Sequence, residues 1–147
     1  VPHKRLLVKC AAYGLGNQVL RWLEAFLDNR TQRVLLDGHY SEWVKVRSGV
    51  PQGSVMGSIL FVLYVNDLDE CVSGNMQKYA DDTKIASLAN TAEECNQLQE
   101  DLDNIAEWSG KWLLKLSPSK CKVLHLGHGN QSHKFYLDGT EIERNTM

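Results

Sequence analysis

Asp81 and Asp82 stand side by side within the run Met76 to Ala86, between two short segments whose composition reads as strands. Adjacent carboxylates at a strand–strand turn offer hard oxygen ligands. Mg2+ is commonly held by one or two such carboxylates together with substrate phosphates. The chemistry this pair could support is therefore phosphoryl transfer, with the pair as half of a two-metal site. The competing reading is an ordinary polar turn, where aspartate is favoured in any case. Neighbouring side chains within a strand point apart, and a turn relaxes that constraint so that both carboxylates can reach one region. Holding them together costs repulsion that a cation relieves.

Other candidates carry less chemistry. Gly49-Val50-Pro51-Gln52-Gly53-Ser54 is a stiff polar loop. Pro51 fixes one dihedral, and Gly49 and Gly53 allow sharp turns or close approach to a ligand. Such a loop opening a helix could set backbone N–H groups against a phosphate or a base. It lacks the spacing and lysine of a Walker loop and the glycine pattern of a dinucleotide fingerprint. His125, His128 and His133 lie among Gly127, Gly129, Asn130 and Ser132, and read as a solvated loop because no cysteine or carboxylate completes a zinc set nearby. Cys10, Cys71, Cys95 and Cys121 are scattered without a Cys-x-x-Cys pair, and read as reduced, packed thiols of an intracellular protein. Arg33, Lys45 and Arg47 could form a basic strip, against the simpler reading of a solvated face.

These residues need elements to position them. Leu6, Leu7, Cys10 and Ala11 recur at helical spacing behind Pro2, and Gly14 and Gly16 end the pattern. A second helix carries Val19, Trp22, Leu23, Phe26 and Leu27 on one side, with Trp22 and Phe26 expected in the core and Asn29 as the stop. Thr31 to Leu36 and Trp43 to Arg47 read as strands joined through Asp37-Gly38, by a loop expected to exceed two residues. Ser54 can cap the apolar run from Val55 to Val65, whose length favours a helix. Met76 to Ala80 and Thr83 to Leu88 frame the aspartates as a tight hairpin. Thr91-Ala92-Glu93-Glu94 is a capping box. The helix it opens carries Cys95, Leu98, Leu102, Ile105, Trp108 and Trp112 on one face, with Gly110 as a break or kink and an end at Leu116-Ser117-Pro118. Its acids, Glu93, Glu94, Glu100, Asp101, Asp103 and Glu107, are expected on the solvated side. Lys120 to Leu126, Phe135 to Leu137, and Glu141-Ile142 after an Asp138-Gly139 turn complete the strands. The fold class is α+β, an antiparallel sheet backed by helices.

The chain of 147 residues, 43% hydrophobic and 23% charged, has the composition of a globular domain. The longest apolar run, Ile59 to Val65, is far too short to span a bilayer, and no signal peptide opens the sequence. The opening at Val1 without Met suggests a piece of something longer. The net charge of −2 conceals an uneven distribution. Residues 91–110 hold six acids and no Lys or Arg, leaving +4 on the remainder. A basic remainder is compatible with a nucleic-acid partner.

The ordered segments Val1-Pro2-His3-Lys4-Arg5-Leu6-Leu7, Gly49-Val50-Pro51-Gln52-Gly53-Ser54, Tyr79-Ala80-Asp81-Asp82-Thr83, Trp108 with Trp112, and Lys120-Cys121 resemble reverse transcriptases of non-LTR retrotransposons. The jockey-like and chicken-repeat elements of animals show the resemblance most clearly, and it covers nearly the whole chain. It implies a polymerase palm-like fragment spanning 1–147, with the fingers, the first catalytic aspartate and most of the thumb outside it. It implies synthesis of DNA on an RNA template, with a DNA primer, deoxynucleoside triphosphates and the remainder of the retrotransposon polyprotein as partners. No membrane is implied, and the setting would be the nucleus or cytoplasm. Asp81 would be the metal-binding aspartate and Asp82 its less stringently required neighbour, with Mg2+ as cofactor and Mn2+ as the alternative. Tyr79 and Ala80 would shape the floor beside the primer end. Pro51, Gln52 and Gly53 would lie against the template and incoming nucleotide, and Lys120 would stand near the phosphates as a proton donor. Met56, Ser58 and Leu116-Ser117 depart from the family's more usual Leu, Pro and Phe-Asn. The rival reading is a non-catalytic remnant of a palm, serving as a binding module or having no role. A metal-dependent hydrolase is less favoured, because no second acidic or histidine cluster offers to activate water.

Overall fold

The computed structural model describes residues 1–130 and 132–145. The chain forms two compact units, Val1–Asn66 and a second beginning at Asp67.

The first unit is built on three helices, α1 (His3–Ala12), α2 (Asn17–Leu27) and α3 (Val55–Val65). Leu6 and Cys10 of α1, Leu23 and Leu27 of α2, and Leu60 and Tyr64 of α3 form its buried interior. The helical spacing expected for α1 holds, but Lys9 is buried where Ala11 was expected. The Lys9 ammonium donates to the Tyr64 carbonyl at 2.6 Å and lies 4.9 Å from the centre of the Tyr64 ring. A cation near the last carbonyls of a helix is favourably placed. Trp22 corrects the core expectation. It is 52% exposed and stacks on Phe26 at 5.3 Å, so the pair covers a flank of α2 instead of filling the interior.

Between α2 and α3 runs a single hairpin made of two short ladders. β1 (Thr31–Gln32) pairs with β4 (Val44–Lys45), and β2 (Leu35–Leu36) pairs with β3 (His39–Tyr40). Leu36 faces His39, so the tip is the two residues Asp37-Gly38, both with positive φ, and not a longer loop. That geometry is the turn an Asp-Gly pair favours. The hairpin is solvent-facing, and the Arg33 guanidinium lies over the rings of Tyr40 and Trp43.

The second unit contains β5 (Asn75–Tyr79) and β6 (Asp82–Ala86), the long helix α4 (Ala92–Trp112), β7 (Lys122–Leu124), β8 (Tyr136–Leu137), β9 (Thr140–Glu141) and β10 (Glu143–Asn145). Thr91 caps α4 in a full capping box with Glu94. Gly110 does not break the helix, which runs on to Trp112 and ends with Leu113 in the left-handed region. Its apolar face packs on Phe135, Leu137 and Ile142.

The strands form five separate two-stranded ribbons among the described residues, so the expectation of one continuous antiparallel sheet is corrected. Four ribbons are antiparallel and one, β7 with β10, is parallel. Most strands are two or three residues long, enough to close a local turn but not to recruit a third strand. The mixed α+β class itself holds.

Candidate functional site

The acidic pair occupies the tip of the β5–β6 ribbon. Cα partners run from Asn75 opposite Ala86 to Tyr79 opposite Asp82, which leaves Ala80 and Asp81 as a two-residue turn. Asp82 is thus the first residue of β6, and Asp81 sits on the bend. Ala80 has φ 54° while Asp81 does not share the left-handed region. A positive φ at the first central residue of a two-residue turn is a position where glycine is the usual occupant. Tyr79 is 84% exposed, and Ala80, Asp81 and Asp82 are exposed with it. Both aspartates are therefore exposed residues at the tip of the ribbon.

The chemistry of this donor set fits a hard divalent cation that completes its shell with water and phosphate oxygens. It provides two carboxylates. Among the described residues no group of three or more His, Cys, Asp and Glu side chains is gathered for a metal ion.

The ribbon is held along its half-buried face and close to its tip. Met76 lies opposite Ile85 on the half-buried face, and Lys78 on the same face donates to Asp69 at 2.7 Å. That hydrogen bond holds the Asp69 carboxyl below its ordinary value, with the lysine charge adding a smaller share. Asp69 belongs to a 3-10 turn over Asn66–Cys71 that leads from α3 towards β5.

Asp101 is the residue that the sequence reading misplaced. It was expected on the solvated side of α4 and is instead 1% exposed. Its carboxylate accepts from the Ser73 amide (2.9 Å), the Ser73 hydroxyl (3.0 and 3.2 Å) and the Gly74 amide (3.1 Å). A signal was present. Asp101 follows Leu98 by three positions and precedes Ile105 by four and Trp108 by seven, which puts it on the apolar stripe. Trp108, buried on the apolar face as expected, also donates its indole N–H to Asp67 at 3.1 Å.

The loop over Pro51, Gln52 and Gly53 lies in the first unit, at the start of α3. Ser54 caps the helix as expected. Its hydroxyl accepts from the Gly57 amide at 2.9 Å and donates to the Pro51 carbonyl at 2.8 Å. Gly57 was not singled out in the sequence, yet the loop depends on it. A β-carbon there would fall well under 3 Å from the Pro51 carbonyl oxygen, and 3.0 Å from the Ser54 hydroxyl. The loop's upstream end is tied down too. The Gly49 amide donates to the Val1 carbonyl at 2.7 Å, and the His3 ring donates to the Gly49 carbonyl at 2.8 Å. Gln52 and Gly53 are exposed between these anchors, with Gly53 at φ 79°.

Lys120 ends a 3-10 turn over Pro118–Lys120 and is exposed. The three histidines do not gather into a ligand set. His125 bonds Asn130 at 2.7 Å, and His125 and His133 both pack on Phe135. All four cysteines are free thiols, and burial pushes those of Cys10 and Cys121 above the usual cysteine value. No helix among the described residues is long and apolar enough to cross a membrane.

Comparison with known proteins adds a lineage to this geometry. Residues 1–142 match the family model described as reverse transcriptase (RNA-dependent DNA polymerase). The chain is 32% identical over 130 residues to the RNA-directed DNA polymerase from mobile element jockey of Drosophila funebris, covering 82% of this chain and 14% of that protein. It is 31% identical over 110 residues to the corresponding jockey polymerase of Drosophila melanogaster, covering 67% of this chain and 12% of that protein. The chain thus spans about one seventh of the length of these relatives.

Proposed function

The chain belongs to the reverse transcriptase family, and from that premise we propose that it is part of the palm of a longer polymerase that copies RNA into DNA. The observation that carries the proposal is the Asp81–Asp82 pair at the open tip of the β5–β6 ribbon, in a chain matched by that family over nearly its whole length. The partners of the longer protein would be an RNA template, a DNA primer and deoxynucleoside triphosphates.

Asp81 and Asp82 would hold Mg2+, or Mn2+ in its place. Bound there, the cation would supply charge stabilisation at the attacking and leaving oxygens of the transferred phosphoryl group. The protein's own contribution is positioning and electrostatics. The two-residue turn puts Asp81 on the bend and Asp82 at the start of β6, an arrangement that would let both carboxylates face one region. Tyr79 and Ala80 would form the surface beside the primer end. In the other unit, Pro51, Gln52 and Gly53 present a stiff loop, anchored on α3 through Ser54, to the template and nucleotide. Lys120, exposed and cationic, would meet phosphate oxygens and deliver a proton to the departing pyrophosphate. A further carboxylate would come from the rest of the polypeptide, as the length of the relatives allows.

The test is Asp81→Asn in the complete polymerase that carries this segment. Template-directed incorporation is expected to be abolished while the circular dichroism spectrum is unchanged. Primer extension at the normal rate would refute the assignment. The 147-residue chain by itself is expected to incorporate no nucleotide.

A further inference from the structure

We propose that Asp101 is the positioning residue of the acidic ribbon, acting from α4 on the root of β5 to set where Asp81 and Asp82 stand. The proposal rests on the reading of that pair as the metal-holding tip.

The first argument is the cost of the residue itself. A carboxylate that is 1% exposed loses its hydration, and burying a charge is unfavourable unless hydrogen bonds replace the lost water. Here the replacement is made by two backbone amides and a hydroxyl, all from Ser73 and Gly74, and shared across both oxygens. A buried ionic group of this kind is weak evidence for stability, since apolar packing often does as well. What it can supply is a fixed geometry. Two amides converging on one carboxylate define the position of the chain that bears them.

The second argument is where that chain leads. Gly74 directly precedes Asn75, the first residue of β5, and Asn75 is paired with Ala86, the last residue of β6. A β-carbon on Gly74 would meet the Asp101 carboxylate at 3.3 Å and the Ala86 carbonyl at 3.4 Å. The carboxylate therefore sits against the point where both strands of the ribbon begin and end. Two more side chains on the same face of α4 hold the preceding segment. Asn104 donates to the Cys71 carbonyl at 3.2 Å, and Trp108 donates to Asp67. The spacing of 101, 104 and 108 is that of one helix face.

The third argument is leverage. The five residues of β5 span roughly 17 Å at about 3.4 Å per residue. A catalytic constellation tolerates displacement of about 0.5 Å. Over that length a tilt of about 2° at the root already moves the tip by this much. An anchor at the root, together with the Lys78–Asp69 bond one pair below the tip, thus sets where the carboxylates stand without touching them.

The experiment has two arms. In this chain, amide hydrogen exchange is measured for wild type, Asp101→Asn and Ser73→Ala. Asp101→Asn keeps the shape but turns an N–H group towards the amides. It is expected to raise exchange across residues 75–79 and 82–86 at least tenfold while the Cys95–Leu98 turn stays protected. Ser73→Ala is expected to give an intermediate rise. In the complete polymerase, Asp101→Asn is expected to lower kcat about tenfold and raise the Mg2+ concentration for half-maximal rate severalfold. The KM for nucleotide should remain within twofold. Faster exchange with wild-type kcat and Mg2+ dependence would overturn the proposal, leaving Asp101 as a scaffold residue. Unchanged exchange would overturn it as well. If Asp101→Asn fails to fold, Ser73→Ala decides by the same readings. Asp81→Asn, run alongside, separates the two ideas. Its normal activity would sink the metal-site reading, whereas an inactive Asp81→Asn beside an unaffected Asp101→Asn would sink this one alone.

Discussion

Replacing Gly57 with alanine puts two physical effects in direct opposition. Gly57 is the third residue of α3, and on helix propensity alone alanine gains about 1 kcal/mol over glycine. The structure predicts the reverse. The new β-carbon would overlap the Pro51 carbonyl oxygen, with the Pro51 carbonyl carbon at 3.1 Å and the Ser54 hydroxyl at 3.0 Å. The overlapped atoms are backbone, so no rotamer change relieves them and the loop must retreat. Overpacking of this kind costs about 1–3 kcal/mol. Retreat also breaks the Ser54 bonds to Pro51 and Gly57, and a lost N-cap costs about 1 kcal/mol. The sum is a net loss of about 2 kcal/mol after the propensity gain, or about 1 M in the urea midpoint at a slope near 2 kcal/mol per M. Gly110→Ala supplies the control. It lies in α4 with nothing within 4 Å of the added carbon, and should gain about 1 kcal/mol. Urea unfolding of both variants, followed by far-UV circular dichroism, reads the two signs. A Gly57→Ala chain as stable as wild type, or more stable, would refute the packing account of the loop.

The tip of the ribbon gives a second expectation. Ala80 holds φ 54°, a region that costs an L-residue about 1–2 kcal/mol and glycine almost nothing. Set against the entropy of glycine, Ala80→Gly should stabilise the hairpin by about 0.5–1 kcal/mol and slow exchange of the β5–β6 amides about threefold. Faster exchange would show that Ala80 is not strained. The third concerns Asp69, whose folded carboxyl is held low by Lys78. Its share of stability is therefore present above the unfolded aspartate value and is lost as pH falls through the depressed folded value. Carboxyl NMR should show Asp69 titrating below an ordinary aspartate, and back in the ordinary range in Lys78→Met. An unchanged titration would remove the ion pair from the account of how the ribbon is held.

Much of the local structure was legible because it is written in residues that act on their immediate neighbours. Ser54, Thr91 with Glu94, and the Asp138-Gly139 turn each satisfy or bend backbone within four residues, and each is found where its type and spacing put it, while the Asp37-Gly38 turn is tighter than the longer loop expected. The acidic hairpin forms as expected but one residue out of place: its turn is Ala80-Asp81, and Asp82 already belongs to β6 and not to the turn. Trp22 was misjudged because amphipathic spacing names a side of α2 but not how far that side is covered. Gly110 was misjudged because a single glycine inside a 21-residue helix costs less than the surrounding turns supply. The single sheet was over-read from strand-like segments whose actual pairings are mostly two or three residues long.

The two buried charges show where pattern reading stops for a physical reason. Lys9 and Asp101 are both buried on helices, and both bond to distant backbone groups. Lys9 reaches a carbonyl near the end of α3, and Asp101 reaches two amides ahead of β5. A backbone group looks the same at every residue, so the sequence marks the charged end of each bond and is silent about the other. The partners lie 55 residues away for Lys9, and 28 and 27 residues away for Asp101. What the sequence does announce is the need: an ionised side chain on an apolar stripe must find polar atoms in the interior. A buried charge satisfied mainly by backbone amides, as Asp101 is with the Ser73 hydroxyl added, fixes a segment in place without calling on the side chains beyond it. That leaves the residues of the ribbon open to be chosen for chemistry.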